Sequence, residues 1–138
     1  MMMVDTSILV DLLRKSPEIL RFVQKLGSTP LFTTEISIME LVFGITGSHI
    51  YINKPELKQK RLSEIGDLSL KFTILPFDRK SAYKTAEILG RLKLDGKLVD
   101  FRAGMIAGVT KANGIDELIT HNKKHFERIP DLKIIEIS

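Results

Sequence analysis

The sequence predicts a three-layer α/β fold in which a mostly parallel central sheet is flanked by helices. Short continuous apolar runs alternate along the chain with longer segments whose apolar residues recur at helical spacing. The 138 residues, 43% hydrophobic and 28% charged, are enough to bury a continuous core. No repeat, low-complexity tract or linker interrupts them, so we predict a single domain over residues 1–138.

The first half of the chain opens with a strand and is rich in helix signals. Met1–Val4 is a short apolar run ended by Asp5, as expected of a buried strand followed by a helix start. Pro17, behind Ser16 as cap, predicts the start of a second helix, which Gly27 ends. In chain order we predict the strand Met1–Val4, helices at Ile8–Leu13 and Pro17–Leu26, the strand Pro30–Thr33, the helix Glu35–Gly47, a loop at Ser48–Asn53 and the helix Leu57–Leu70.

The second half repeats the alternation. Phe72–Leu75, followed by Pro76, predicts a strand, and Asp78 is expected to cap a long helix. The apolar face of this helix is predicted to comprise Ala82, Ala86, Leu89 and Leu92. The remaining predictions are a closely packed central helix within Val99–Ala112 that ends at Gly114, a strand Glu117–Thr120, a short helix around Lys124–Arg128 and a final segment Leu132–Ile137.

Composition excludes several classes of protein. The chain has no cysteine, which excludes disulfides and thiolate metal sites. The apolar start is too short for a signal peptide and no stretch reaches membrane-spanning length, so we expect a soluble, cytoplasmic protein without a membrane partner. The net charge of +4 suits a polyanionic partner, although a lysine-covered surface accounts for it equally well.

Three acidic residues are candidates for a functional site, and Asp5 lies at the carboxyl end of a predicted strand, where parallel sheets commonly bind ligands. Asp5 directly follows the first strand, and Asp100 stands at the start of the central helix; either can also serve as an ordinary helix cap. Glu40 lies in the most apolar helix, Glu35–Gly47, where a buried carboxylate has to be paired, coordinated or protonated. A functional role is therefore favoured for Glu40, with a distant salt bridge as the alternative.

Polar residues also follow the fourth predicted strand. Thr120 and Asn122 lie in the turn after Glu117–Thr120, where they are also ordinary turn residues. The nearby His121 and His125 lack the spacing of zinc ligands, so we do not predict a structural zinc site.

Taken in order, these residues resemble the PIN domain, and most of all the VapC toxins of VapBC toxin–antitoxin systems. The resemblance spans essentially the whole chain and its last motif is fairly specific. The motifs that carry it are Val4–Leu9 (VDTSIL), Ile38–Gly44 (IMELVFG), Met105–Gly108 (MIAG) and Leu118–Leu132 (LITHNKKHFERIPDL).

The resemblance implies an endoribonuclease that cleaves RNA with carboxylate-bound Mg²⁺ or Mn²⁺. Carboxylates suit these hard cations, which activate water and stabilise charge on the phosphate. Matched position by position, Asp5 and Glu40 are the first and second acids of the metal site. Asn122 is the polar position of the catalytic set. Thr6 and Thr120 are the supporting hydroxyls.

The third acid departs from the family pattern. Similar toxins have Asp-x-x-Ile-Ala, and the residue three before Ile106 is Ala103. Asp100 stands one helical turn earlier, on roughly the same face. Either Asp100 replaces the usual metal ligand and serves in catalysis, or the site has lost a ligand, by divergence or by a deliberate change. We favour the loss, because one turn is about 5 Å along the helix.

The resemblance also implies an RNA substrate, a homodimer and a small antitoxin. Lys97, Arg102, Lys123 and Lys124 are candidates for holding RNA phosphates, with solvated surface as the alternative. The early helices and Glu35–Gly47 are candidates for antitoxin contacts by analogy.

Other readings of the sequence remain. The first is a catalytically inactive PIN-like domain that binds RNA or a partner, as Ala103 suggests. A signalling receiver needs an acid pair at the end of the first strand, and a nucleotide-binding fold needs a glycine-rich phosphate loop; the chain has neither.

Overall fold

A computed structural model describes residues 1–137 and has a sheet of parallel strands at its centre. Within these residues the sheet has five strands in the order β3-β2-β1-β4-β5, and every neighbouring pair is parallel. The strands are β1 (Met2–Val4), β2 (Leu31–Thr34), β3 (Thr73–Leu75), β4 (Glu117–Thr120) and β5 (Lys133–Glu136). The predicted α/β class and parallel sheet are therefore confirmed.

The helices follow the predicted pattern, with two differences. They are α1 (Thr6–Leu13), α2 (Pro17–Leu26), α3 (Glu35–Thr46), α4 (Pro55–Ser69), α5 (Arg79–Leu94) and α6 (Phe101–Ala112). The segment predicted as the loop Ser48–Asn53 contains a 3₁₀ turn at His49–Tyr51, because the Ser48 hydroxyl accepts a hydrogen bond from the backbone N–H of Ile50. The short helix predicted around Lys124–Arg128 is a 3₁₀ turn at Lys123–His125.

The sheet separates two apolar clusters, which gives the predicted three layers. Met3 and Leu118 point to one face and pack with α5 and α6, whereas Val4 and Ile119 point to the other and pack with α1 to α4. This alternation is the period of two that an extended strand imposes. None of the helices within residues 1–137 is long and apolar enough to cross a membrane.

The buried face of α5 differs from the prediction. Ala86 is exposed and Ala82 only half-buried, while Leu92 is buried as predicted. The buried residues of the helix are Ser81, Thr85, Ile88 and Leu92. Small residues on α6 determine which face of α5 is buried, because a Cβ atom added at Gly108 would lie 1.8 Å from Thr85 Oγ1. The two backbones approach so closely that Thr85, and not a larger apolar side chain, fits between them.

The carboxyl edge of the sheet places three chain segments side by side. β1 pairs with both β2 and β4, so the residues that follow these strands emerge next to one another. Asp5 follows β1 and caps α1, Thr34 ends β2 and caps α3, and Thr120 ends β4. Ligands commonly bind at this edge of parallel sheets.

Candidate active site

Asp5 is a buried carboxylate whose charge is satisfied by hydrogen bonds. It is 4% exposed and caps α1 from an extended backbone. Its Oδ1 accepts hydrogen bonds from Ser7 Oγ (2.6 Å) and the Ile8 backbone N–H (3.3 Å), and its Oδ2 accepts one from Thr120 Oγ1 (2.5 Å). A buried carboxylate without such donors would cost several kcal/mol. Asp5 is thus both the cap expected of it and an oriented anion.

The end of β4 is tied to the start of α1 by hydroxyl groups. Thr120 Oγ1, which donates to Asp5, accepts a hydrogen bond from the Asn122 backbone N–H (2.9 Å). Ser7 Oγ likewise accepts from the His121 backbone N–H (3.0 Å). Sequence reasoning assigned a supporting role to Thr120 but overlooked Ser7, although Ser7 belongs to the polar triplet that follows the first strand.

Glu40 lies on α3 and is less buried than predicted. Thr34 caps this helix by accepting a hydrogen bond from the Ser37 backbone N–H (3.1 Å). The Glu40 side chain is 20% exposed, and its Oε1 accepts a hydrogen bond from Thr6 Oγ1 (2.8 Å). Phe43, three residues later on α3, is 66% exposed. The predicted buried glutamate is thus only partly buried, because this face of α3 opens onto a cavity, but its carboxylate is paired as predicted.

Asp100 is the N-terminal cap of α6. Its Oδ1 accepts hydrogen bonds from the backbone N–H groups of Arg102 (2.8 Å) and Ala103 (3.4 Å), and its side chain is 52% exposed. Ala103, at the position where the resemblance implies an acid, is 5% exposed. Asp100 thus forms the helix cap that the sequence offered as the alternative to a role in the site.

Arg102 connects two of the candidate acids. Its Nη1 lies 3.4 Å from Glu40 Oε2 and its Nε lies 3.6 Å from Asp100 Oδ1. The sequence suggested Arg102 only as a phosphate-binding residue. The pairing with Glu40 depends on how α3 and α6 approach each other, and local sequence patterns carry no information about that approach.

These residues line a cavity of about 290 Å³ at the carboxyl edge of the sheet. Thr120 contacts Asp5 but does not itself line the cavity. In the part of the chain that the structure describes, Lys97 and Lys123 do not line it either. Lys124 lines a neighbouring depression together with Asp100 and Arg128. The cavity lining comprises Asp5, Thr6, Ser7, Val10, Glu40, Asp100, Arg102, Ala103, Ile106, Asn122, His125 and Phe126. The structure thus brings together most of the predicted site, and adds Ser7, His125 and Phe126 to it.

A larger cavity of about 520 Å³ continues from Thr6 and Glu40 towards α4. Arg61 and Glu64 form an ion pair on its wall, with Nη1 and Oε1 2.7 Å apart. The hydrogen bond from Arg61 lowers the pKa of Glu64, and the same bond raises the pKa of Arg61. Both side chains are therefore charged at neutral pH, and most of the remaining wall is apolar.

The donor set of the smaller cavity suits a hard divalent cation. Asp5 and Glu40 present carboxylate oxygens to it, and Mg²⁺ is commonly held by one or two carboxylates and water. Among residues 1–137, no three His, Cys, Asp or Glu side chains form a group able to hold a metal ion. Water or phosphate oxygens would have to complete the coordination of a cation held by these two acids.

Comparison with known proteins gives matches along nearly the whole chain. A family model described as PIN domain matches residues 2–132. The tRNA(fMet)-specific endonuclease VapC of Salmonella typhimurium is 26% identical over 132 residues, covering 96% of this chain and 94% of that protein. Ribonuclease VapC2 of Haemophilus influenzae is 29% identical over 133 residues, covering 95% and 93%.

Solved structures give the same result. VapBC2 from Rickettsia felis, bound to a promoter DNA fragment, superposes with a TM-score of 0.85 at 24% identity, covering 99% of this chain and 98% of that one. DNA-bound VapBC from Salmonella typhimurium gives a TM-score of 0.83 at 26% identity, covering 98% and 96%. The resemblance to VapC-type toxins that the motifs predict is confirmed.

Proposed function

Because the chain belongs to the PIN-domain family, we propose that it is a toxin-type endoribonuclease that cleaves RNA phosphodiester bonds with Mg²⁺ or Mn²⁺. One observation carries the proposal: Asp5 and Glu40, 35 positions apart in the sequence, face the same cavity at the carboxyl edge of the sheet. Oxygen donors that converge in this way suit phosphoryl chemistry.

The side chains around the two acids hold them in place before any substrate arrives. Ser7 and Thr120 orient the Asp5 carboxylate from both sides, and Thr6 orients Glu40. A divalent cation held by these acids would supply a nucleophilic water near neutral pH and charge stabilisation for the phosphate. The contribution of the protein is preorganisation, since donors and acids already in position require no reorganisation during the reaction.

Ala103 weakens the site in this proposal. The Asp100 carboxylate already accepts two backbone hydrogen bonds as a helix cap, so it is poorly suited to replace the missing acid. The chain would then depend on Asp5 and Glu40 and require more metal than a toxin with the usual third acid. Asn122 is left as a polar group on the cavity wall that can orient water or phosphate.

RNA would approach across the basic residues beside the cavity. Arg102 lines the cavity, Lys124 lines its neighbour, and Lys97 and Lys123 are exposed on the surrounding surface. Such side chains provide affinity and salt dependence with little sequence preference. The Salmonella relative is named a tRNA(fMet)-specific endonuclease, so initiator tRNA is the first substrate to test. A toxin that acts on tRNA works in the cytoplasm, where we place this protein.

A small antitoxin is proposed to cover the larger cavity. Val10, Leu13, Leu41 and Ile45 give it an apolar lining beside Glu40, and an antitoxin helix seated there would close off the acidic site. The similar structures from Rickettsia and Salmonella are VapBC complexes. We also propose a homodimer, which light scattering of the purified protein measures directly.

The test is RNA cleavage by purified protein with Mg²⁺ or Mn²⁺, beside the variants Ala103→Asp and Glu40→Gln. We expect weak cleavage by the protein, faster cleavage by Ala103→Asp, and loss of at least about a hundredfold in Glu40→Gln, as for other groups that stabilise developing charge. If only Ala103→Asp cuts, the chain is a disarmed form of a ribonuclease.

A second candidate function is a PIN domain that binds RNA or a partner without cleaving. It is favoured by the pairing of Arg102 with Glu40 and by Ala103, which stands where the resemblance implies an acid. Failure of every version to cut a broad RNA panel, together with retained RNA binding, would establish this function in place of the first.

A further inference from the structure

We propose that Arg102 is a built-in cation of the acidic cavity, which competes with the divalent metal ion for Glu40. This inference rests on the proposed function, since it concerns how the same cavity takes up its metal. Metal binding is then an exchange in which the guanidinium leaves Glu40 before that carboxylate binds the metal. The chain would therefore be active only above a raised concentration of free metal.

The position of the guanidinium follows from the first turn of α6. Asp100 accepts the Arg102 backbone N–H (2.8 Å), which fixes this turn and aims the Arg102 side chain towards α3. There its Nη1 lies 3.4 Å from Glu40 Oε2, while Nε remains 3.6 Å from Asp100 Oδ1. One side chain thus bridges two acids on two different helices.

The charges in the cavity make this cation effective. Asp5, Glu40 and Asp100 line it, and the donors to the Asp5 carboxylate are neutral hydroxyl and amide groups. Among the described residues, Arg102 is the only Lys or Arg that lines the cavity. Removing the Arg102 charge leaves Glu40 and Asp100 without this ion pair, so the cavity attracts any other cation more strongly.

The contact is also easy to open. The Arg102 side chain is 53% exposed, and ion pairs at such exposure contribute little to stability. Both of its distances to carboxylate oxygens exceed those of a short charge-assisted hydrogen bond. A divalent ion can therefore displace the guanidinium, and Ala103 presents no further acid to favour the metal. The Arg102 contact thus raises the metal concentration needed for binding but does not prevent binding.

The experiment measures Mn²⁺ binding by calorimetry and by electron paramagnetic resonance, in the absence of RNA. Arg102→Ala is compared with the charge-retaining Arg102→Lys and with Arg91→Ala, which removes a similarly exposed pair with Asp95 on α5. We expect Arg102→Ala to lower the Kd for Mn²⁺ at least about tenfold, because a unit charge near a divalent ion is worth that factor even in water. Arg102→Lys should lower it less, and Arg91→Ala should leave it unchanged.

Melting curves give a second readout. Without metal, Arg102→Ala should melt at or below the temperature of the unsubstituted protein, and Mn²⁺ should raise its melting temperature by a larger shift. If Arg102→Ala folds poorly, the neutral variant Arg102→Gln carries the same test, because it also removes the charge.

The outcomes separate this inference from the proposed function. An unchanged or higher Kd in Arg102→Ala, or no Mn²⁺ binding in either protein, would overturn the inference, whatever the cleavage assay shows. A lower Kd without RNA cleavage by any version would support the inference and count against the ribonuclease.

Discussion

The contact between α5 and α6 gives the sharpest prediction about stability. In Gly108→Ala the new Cβ would lie 1.8 Å from Thr85 Oγ1, 2.9 Å from Thr85 Cβ and 3.0 Å from Thr85 Cα. Rotation of the Thr85 side chain could move the hydroxyl away, but the Cα belongs to the backbone. The helices therefore have to separate, and α6 carries Asp100 and Ala103 into the cavity.

The magnitude follows from two opposing terms. Overpacking a well-packed contact costs about 1–3 kcal/mol. Replacing glycine by alanine inside a helix returns up to about 1 kcal/mol. Because a 1.8 Å contact places the cost at the upper end of this range, we expect a net loss of about 2 kcal/mol in the free energy of unfolding for Gly108→Ala. This loss lowers the melting temperature of a domain of this size by about 4–8 °C.

Thermal and urea denaturation test this value against a matched control. Among the described residues, a Cβ added at Gly90 of α5 meets nothing within 4 Å, so Gly90→Ala should stabilise by up to about 1 kcal/mol. Adding Thr85→Ala to Gly108→Ala should recover part of the loss, since the hydroxyl is removed while the Cβ contact remains. If Gly108→Ala is as stable as Gly90→Ala, the close approach of the two helices is refuted.

Three further predictions concern acidic groups. Thr120→Val removes the donor to Asp5 Oδ2 and should cost about 1–3 kcal/mol in urea denaturation, whereas Thr120→Ser should be near neutral; equal losses would contradict this. Hydrogen bonds from the Ser81 hydroxyl and backbone N–H lower the pKa of Asp78. The ionised Asp78 carboxylate should therefore stabilise the fold fully above about pH 4, and this stabilisation should be lost as the pH falls through the lowered pKa. The difference in melting temperature between the unsubstituted protein and Asp78→Asn should shrink over the same pH range. Ala103→Asp should melt earlier in EDTA and recover with Mn²⁺, and identical melting with and without Mn²⁺ would argue against a metal site.

Local patterns were enough for the elements and their caps. Asp5, Asp78 and Asp100 each accept a hydrogen bond from a backbone N–H three residues or fewer away, so a short stretch of sequence contains both partners. The apolar runs of β1 and β4 likewise predict buried strands, even when the neighbouring strands in the sheet are not known. The grouping of Asp5 with Thr120, which the structure shows as a hydrogen bond, was expected only from the resemblance to the PIN domain.

The sequence by itself therefore determined the α/β class, the order of elements and the edge of the sheet where the acids gather, because periodicity and capping act over a few residues. Only the tertiary structure decided that Thr85 is buried against Gly108, that Glu40 faces a cavity and that Arg102 bridges Glu40 to α6. Those contacts join positions more than 20 residues apart. They depend on how closely two helices approach, which is set by the volumes of side chains on both.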